Sequence, residues 1–475
     1  MKISLKAAAL VATALSWIPA LAGGPLRVAL VGDPQVDNVV EMGYARRSVY
    51  RELAGRKDID LCIFLGDLVN DDMALLPESV QVIDSLPFTS LMVPGNHDRD
   101  VYRGVKALHM AGASTEVQNR PRDLATWRMA VGYVDTSFVR GNVRFILMNN
   151  VRRANAGMTD YVGGFTAGQK HWLDSVLRRD ATAPSHRRTA LTLLATHIPV
   201  SQMKGRDSVL ALIPDLSRVL LVSGHTHYVA RGYVEPSAGS GSEAVSGGAS
   251  ELIVGATCGS WWRGVKDASG VPYALQSCGA PRGYFIADIR RNGDYLLSYK
   301  CVGRPKSEQL SVWAVPEVSA STSAEAGRSR DEHGQRLAGD TGRLNNDEDS
   351  DRLRYRFYIN VFGGSADGTV DISVPRRSAL SFSIDNEAIP RHLHCPVSSA
   401  TAPEVEEVIR FNASMSREYR KAHRDEFIPL RRKSSPHLWQ SEEVLHGEPP
   451  TYVNVRYRDA NMRFRTAKVQ VNVLK

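Results

Sequence analysis

Five short polar stretches of this 475-residue sequence carry side chains able to hold cations. They are Asp33-Pro34-Gln35, then Asp67 in Gly66-Asp67-Leu68-Val69-Asn70-Asp71, then Gly95-Asn96-His97-Asp98, then His197, then Gly224-His225-Thr226-His227. Carboxylate, amide and imidazole donors together suit divalent metals of intermediate hardness, such as Mn, Fe and Zn. A lone Asp or His is more often a satisfied loop residue, and an isolated Gly-Asn-His-Asp recurs by chance. All five, each placed at the end of an apolar run, point to a metal site rather than to ordinary polar loops.

Side chains so far apart in the chain meet only if the fold delivers them to one crevice. The apolar runs lie at 27–31, 60–65, 90–93, 190–195 and 219–222, with another at 143–148. Short runs rich in Val, Leu and Ile predict buried strands, and strand ends in an α/β layer face a shared crevice. Gly32, Gly66, Gly95 and Gly224 allow a sharp exit and close backbone approach at four of these ends. Segments 39–54 and 167–179 predict helices. In the second, Thr166 and Gln169 have capping-box spacing, and Trp172, Leu173, Val176 and Leu177 form one apolar face. Asn292-Gly293, between 285–289 and 295–299, is a hairpin signal. The mixture predicts sheets covered by helices, an α/β class.

Hydrophobic residues make up 43% of the chain and its net charge is +8. The N-terminus has the pattern of a signal peptide: Lys2 and Lys6, an apolar stretch at 7–18, and Ala20-Leu21-Ala22 as a small-residue cleavage pattern. Cleavage after Ala22 removes both lysines and leaves +6. That excess suits an anionic substrate, while the interleaved charges give no signature of a basic groove, so no nucleic-acid partner is expected. No later stretch is apolar enough to span a membrane, and an exported protein, periplasmic or extracellular, is expected. Of five cysteines, Cys62 in an apolar run is read as a buried free thiol, and Cys258 and Cys278 as a pair that can bridge a loop.

Segment 316–352 is rich in Ser, Ala, Gly and charged residues, which predicts a linker or long solvated loop. Beyond it, 355–362, 370–374, 379–384, 453–457 and 467–473 have strand character, with a helix at 404–420. A small C-terminal β-rich domain over 353–475 follows.

The ordered set of metal-type stretches resembles that of the calcineurin-like metallophosphoesterase superfamily over residues 24–303. The resemblance implies a four-layer β-sandwich flanked by helices and two metals bridged by one carboxylate. By motif position, Asp33, Gln35, Asp67 and His227 hold the first metal; Asp67, Asn96, His197 and His225 hold the second. His97 faces the substrate phosphate and leaving group, with Asp98 or another nearby acid setting its tautomer. Most members have His where this chain has Gln35, and an amide oxygen is a harder, usually weaker donor, so looser binding at the first metal or a shift toward Mn or Fe follows. The implied chemistry is phosphoester hydrolysis by a metal-bridging hydroxide, on a small-molecule or polymer phosphoester.

Gly255-Ala256-Thr257-Cys258-Gly259-Ser260-Trp261-Trp262 is similar to a stretch in secreted bacterial members with an added C-terminal β-domain. That domain's signature is echoed in Tyr358-Ile359-Asn360-Val361-Phe362 and Ser435-Pro436-His437-Leu438-Trp439. The branch often has an acid where this chain has Cys278. Trp261 and Trp262 are candidates for a substrate platform or, equally, for a packed domain junction. His392, His394 and Cys395 form a weaker metal candidate that reads better as a polar loop. The Asn412-Ala413-Ser414 sequon falls inside the predicted helix. Two other functions compete with hydrolysis: a non-catalytic metal-containing binding module, to which Gln35 lends weight, and a nuclease, which the export signal disfavours.

Overall fold

The computed structural model describes residues 24–100, 123–153, 161–184, 188–237, 248–317, 354–374 and 392–474. The expected signal peptide, the strand at 379–384 and all but the first two residues of 316–352 lie outside them.

Alternation explains the layering. In the strand Leu26–Val31, Val28 and Leu30 point to one face and Ala29 and Val31 to the other, and all four are fully buried. A strand apolar on both faces must be covered on both. Its five-stranded sheet runs in the order Tyr295–Cys301, Gly283–Ile289, Leu26–Val31, Leu61–Phe64, Thr89–Met92. A six-stranded sheet runs Val229–Val234, Ala249–Val254, Val219–Ser223, Leu191–Ala195, Val143–Leu147, Thr136–Arg140.

The two sheets face each other. Val28, Leu30, Leu61, Ile63 and Leu91 meet Phe145, Leu147, Leu193, Leu220 and Val222 in one core, where each buried Leu or Phe stabilises the fold by about 1.5–3 kcal/mol. The outer face of the first sheet packs on the helical run Val39–Ala45, Arg46–Tyr50, Arg51–Ala54, whose middle turn is a π-helix, and on Leu76–Asp84. The outer face of the second packs on Ala167–Ala181. The Thr166–Gln169 capping box forms as expected. These are the four layers of the expected α/β fold.

Eight strands of the C-terminal part form a further sheet, ordered His392–Cys395, Thr369–Ser373, Tyr452–Arg458, Arg463–Val473, Leu310–Pro316, Arg354–Val361, Leu438–Gln440, with Leu445–His446 also beside Arg354–Val361. Val397 bridges Trp439, so chain from one edge meets the other edge and the sheet curls toward a barrel. Pro316 pairs with Tyr355. The strands on either side of segment 318–353, Leu310–Pro316 and Arg354–Val361, are thus neighbours in one sheet. The predicted 404–420 helix is two helices, Pro403–Ser414 and Arg417–Ala422, parted where Met415 turns extended. Segments 151–165 and 229–250 contain the pair Val151–Arg153 and Tyr161–Gly163 and parts of the pair Val229–Val234 and Ala249–Val254.

His437 is wholly buried beside Asn360, with Nδ1 2.6 Å from Asn360 Oδ1 and, among the described residues, no hydrogen-bond partner at Nε2. Burial pushes it down to about 4. The unfolded chain therefore takes up this proton first as pH falls. The stability it contributes is complete above the ordinary value of 6.5 and is lost as pH drops toward 4, about 3 kcal/mol in all. Thermal unfolding of wild type and His437→Gln should show the wild type losing stability more steeply between pH 6.5 and 4; parallel curves would exclude the effect.

Candidate metal centre

The site begins where strands end. Leu26–Val31, Leu61–Phe64 and Thr89–Met92 are parallel neighbours in the first sheet, and Leu191–Ala195 and Val219–Ser223 in the second. All five polar stretches therefore leave from the same edge of the two stacked sheets. The turns are tight: Asp33, Gln35, Asp67, His225 and His227 all have positive φ, between 40° and 70°. For non-glycine residues this costs on the order of 1–3 kcal/mol each, and such strain clusters at functional sites. The glycines have a direct steric reason. A Cβ on Gly95 would collide with the Asp67 carboxylate, on Gly224 with the Asp33 carboxylate, and on Gly66 with the His197 ring.

Asp67, Asn96, His197 and His225 converge. His197 Nε2 lies 2.9 Å from Asn96 Oδ1, 3.4 Å from Asp67 Oδ2 and 3.1 Å from His225 Nδ1. Its other nitrogen, Nδ1, donates to the Leu65 carbonyl at 2.8 Å. Burial lowers His197, but the charge of Asp67 and its bond to the ring outweigh it and lift the histidine to about 9, so a proton at Nε2 is held among an amide oxygen, a carboxylate oxygen and a second imidazole nitrogen, the donor types of a cation site. A divalent cation resolves that arrangement, and the backbone carbonyl behind the ring is the outer support that metal-binding histidines use. Ligand atoms of Asp67, His197 and His225 all lie within 4.8 Å of one another.

Asp33 and His227 stand beside this cluster, His227 Nε2 4.0 Å from Asp33 Oδ1. His227 Nδ1 donates to the Gly259 carbonyl at 2.8 Å, leaving Nε2 bare, and the Asp33 carboxylate accepts from the His225 backbone N–H. Gln35 is buried with its Nε2 donating to Asn70 Oδ1 at 3.2 Å and its Oε1 3.8 Å from Cys258 Sγ. This second group is looser than the first.

The charges agree with a cation site. Burial pushes His225 down to about 3 and His227 to about 4, so both rings are neutral at neutral pH, the form that can ligate a cation. Burial also raises Asp33 well above the carboxylate range, and a bound cation would reverse that. Asp67, equally buried, is held low by the His197 and His97 rings.

His97 sits at the mouth, its side chain 27% exposed. Its backbone N–H donates to Asp67 Oδ1 at 2.9 Å and its Nδ1 lies 2.7 Å from Asp71 Oδ1. Burial lowers this histidine, but the charge of Asp67 and the bond to Asp71 outweigh it and lift it to about 9. The acid that orients His97 is thus Asp71 rather than Asp98. Asp98 is fully buried and accepts from the Val69 and Gly95 backbone N–H groups, tying two polar stretches together.

The two tryptophans part company. Both have positive φ, so they lie on a turn and not on a strand. Trp261 is 43% exposed and tilts over the His227 ring at 4.8 Å. Trp262 is 2% exposed, donates from Nε1 to the Pro34 carbonyl at 2.9 Å and packs against Tyr44 and Arg282. It buttresses the Asp33–Gln35 turn and cannot touch a substrate, which corrects the pairing of the two as a platform.

All five cysteines are free and buried. Cys258 faces Gln35 and His227 while Cys278 Sγ accepts from the Val229 N–H, so the expected bridge is not formed. In the strand His392–Cys395, His392 and His394 are exposed and Leu393 and Cys395 buried, so alternation separates that candidate metal set. Asn412 is buried in its helix and donates to the Ile428 carbonyl, closing the sequon. Sequence reasoning missed Tyr161, edge-on to His225 at 5.8 Å, and Asn150, whose amide clamps both backbone groups of Ile198 next to His197. Neither carries a local signal.

Two family models match the chain: calcineurin-like phosphoesterase over residues 26–229 and the C terminal of calcineurin-like phosphoesterase over 251–445. Among solved structures, similarity is found to PhoD, at 12% identity and TM-score 0.37, covering 60% of this chain and 67% of that one. The NAD nucleotidase NadN of Haemophilus influenzae matches at 10% identity and TM-score 0.27, covering 58% of this chain and 49% of that one. A metallophosphoesterase from Sphaerobacter thermophilus matches at 16% identity and TM-score 0.24, covering 56% and 84%. No curated protein matches the chain.

Proposed function

The chain belongs to the calcineurin-like phosphoesterases, and on that premise we propose that it hydrolyses phosphoesters outside the cytoplasm using two divalent cations. The observation that carries this reading is the convergence of His197 Nε2, Asn96 Oδ1, Asp67 Oδ2 and His225 Nδ1 on one buried point. Asp33, Gln35 and His227 complete the second position, and Asp67 is the residue the two share. When bound, the cations would neutralise phosphate charge and supply an acidified bridging water as the nucleophile.

The protein's own groups do the rest. Asp33 and Asp67 arrive at their positions through strained turns and backbone bonds, so little reorganisation is left for the reaction. His97, held protonated by Asp67 and Asp71, donates a proton to the leaving oxygen or a hydrogen bond to a phosphoryl oxygen. Trp261 offers an exposed ring beside His227 for an apolar or planar part of the substrate. Export rests on the Lys2-to-Ala22 pattern alone; among the described residues no helix is long and apolar enough to cross a membrane.

The test is hydrolysis of p-nitrophenyl phosphate and bis-p-nitrophenyl phosphate by chelator-stripped protein, before and after adding Mn. Turnover of at least one compound, absent before Mn and restored by it, is expected, and the preferred compound reports monoester or diester specificity. Bound metal with no turnover of either would favour the binding-module reading.

A further inference from the structure

We propose that the C-terminal sheet sets the geometry of the metal centre by gripping the turn 276–281 behind His227, with Asn360 and Ser435 as positioning residues. This rests on the metal-centre reading above and adds to it a task for the C-terminal domain.

The contact is specific. The Cys278 carbonyl accepts from Ser435 Oγ at 3.0 Å and lies 3.4 Å from Asn360 Nδ2. Asn360 and Ser435 are 0% and 2% exposed, and each comes from one of the two stretches, 358–362 and 435–439, that stand out in the C-terminal sequence. Asn360 is itself fixed on both sides, its Oδ1 by His437 Nδ1 and its Nδ2 by Glu404 Oε2 at 3.2 Å. Glu404 is held in turn by the Ser311 hydroxyl. Gly279, at φ +84°, closes against this node; a Cβ there would meet Ala402, Asn360 and Glu404. With both the oxygen and the nitrogen of its amide bonded, Asn360 is held in one orientation.

The other side of the same turn supports the metal ligand. The Ser277 N–H and hydroxyl both reach the His227 carbonyl, at 3.4 and 3.3 Å. Gln276 Oε1 accepts from the Ala256 N–H at 2.9 Å, and the segment beyond it presents the Gly259 carbonyl that fixes the His227 ring. Backbone and ring of His227 thus both lean on a turn whose far side is bonded to the C-terminal sheet. His227 belongs to the looser group of ligands, where an outside clamp has the most to contribute. Outer supports of this kind change metal affinity by about 10–100-fold.

The experiment is titration of metal-free full-length protein with Mn, following free Mn by electron paramagnetic resonance. In Asn360→Ala/Ser435→Ala one binding step should weaken at least tenfold and the other stay within twofold, with faster amide exchange at 225–229 in the metal-free state. Ser435→Ala alone should weaken the same step about threefold, which keeps the test available if the double variant does not fold, and Ser435→Thr should restore it. Ser441→Ala removes a buried hydroxyl of the same sheet, bonded to Phe357 and away from the turn, and should lower thermal stability without moving either step. Both steps unchanged in Ser435→Ala and in the folded double variant would overturn the proposal and leave the metal centre standing. Wild type that binds no Mn would overturn the metal-centre reading and this proposal with it.

Discussion

Asp67→Asn is expected to cost at least about 10³-fold in kcat and to lower metal content together. Asp67 is the bridging ligand in the proposed centre: its Oδ2 faces His197 while its Oδ1 takes the His97 backbone N–H. The substitution changes no volume, so packing around a residue 1% exposed is preserved. It removes the charge that holds two cations close and replaces one oxygen by an NH₂ that cannot ligate. It also leaves Asp33 as the one carboxylate among the proposed ligands, and a single carboxylate cannot balance two dications. Metal analysis and single-turnover hydrolysis on the same samples would check both losses; a variant with unchanged kcat and metal content would remove Asp67 from the centre.

His97→Ala separates chemistry from metal binding. Its side chain bonds Asp71 and lies outside the converging ligand set, so metal content should stay near wild type while kcat falls about 10²–10⁴-fold, the range for a lost general acid. Asp71→Asn gives the sharper signature. Asp71 raises His97, so without its charge the His97 proton leaves at lower pH. If the protonated ring is the working form, activity is kept below its pKa and lost above it, and the alkaline limb of the kcat profile should move toward neutral pH in Asp71→Asn. An unmoved limb would show that His97 does not act as the acid. The loss from a substrate with a good leaving group, such as p-nitrophenolate, should be smaller than from an alkyl ester, because a weakly basic leaving oxygen needs its proton less.

The catalytic half of the fold was legible because its signals are local. Runs such as 27–31 and 219–222 are apolar on both faces, which only a covered strand explains, and Thr166 with Gln169 marks a helix start through bonds three residues apart. The proposed ligands could be picked out for the same reason, since each follows its strand within a few positions and the glycines beside them mark turns that no Cβ can enter. Among the strands missed, Val229–Val234 is interrupted by the exposed Gly232 and Tyr233, and in Ala249–Val254 the polar Ser250 and Glu251 leave an apolar run of only three residues.

What this sequence determined by itself was therefore the set of strand ends, the donor types they carry and the chemistry those donors permit. Tertiary structure decided which neighbours meet across the chain. It put Asp71, and not the adjacent Asp98, against the His97 ring, because the turn after Asp67 swings back at positive φ. It exposed Trp261 and buried Trp262, because both sit on a turn and follow no strand alternation. It kept Cys258 and Cys278 apart by facing them to different partners, and it brought Pro316 to Tyr355 and Asn360 to the turn behind His227. Each of these depends on backbone direction over one or two residues or on register between segments tens to hundreds of positions apart, and neither is written in residue type or spacing.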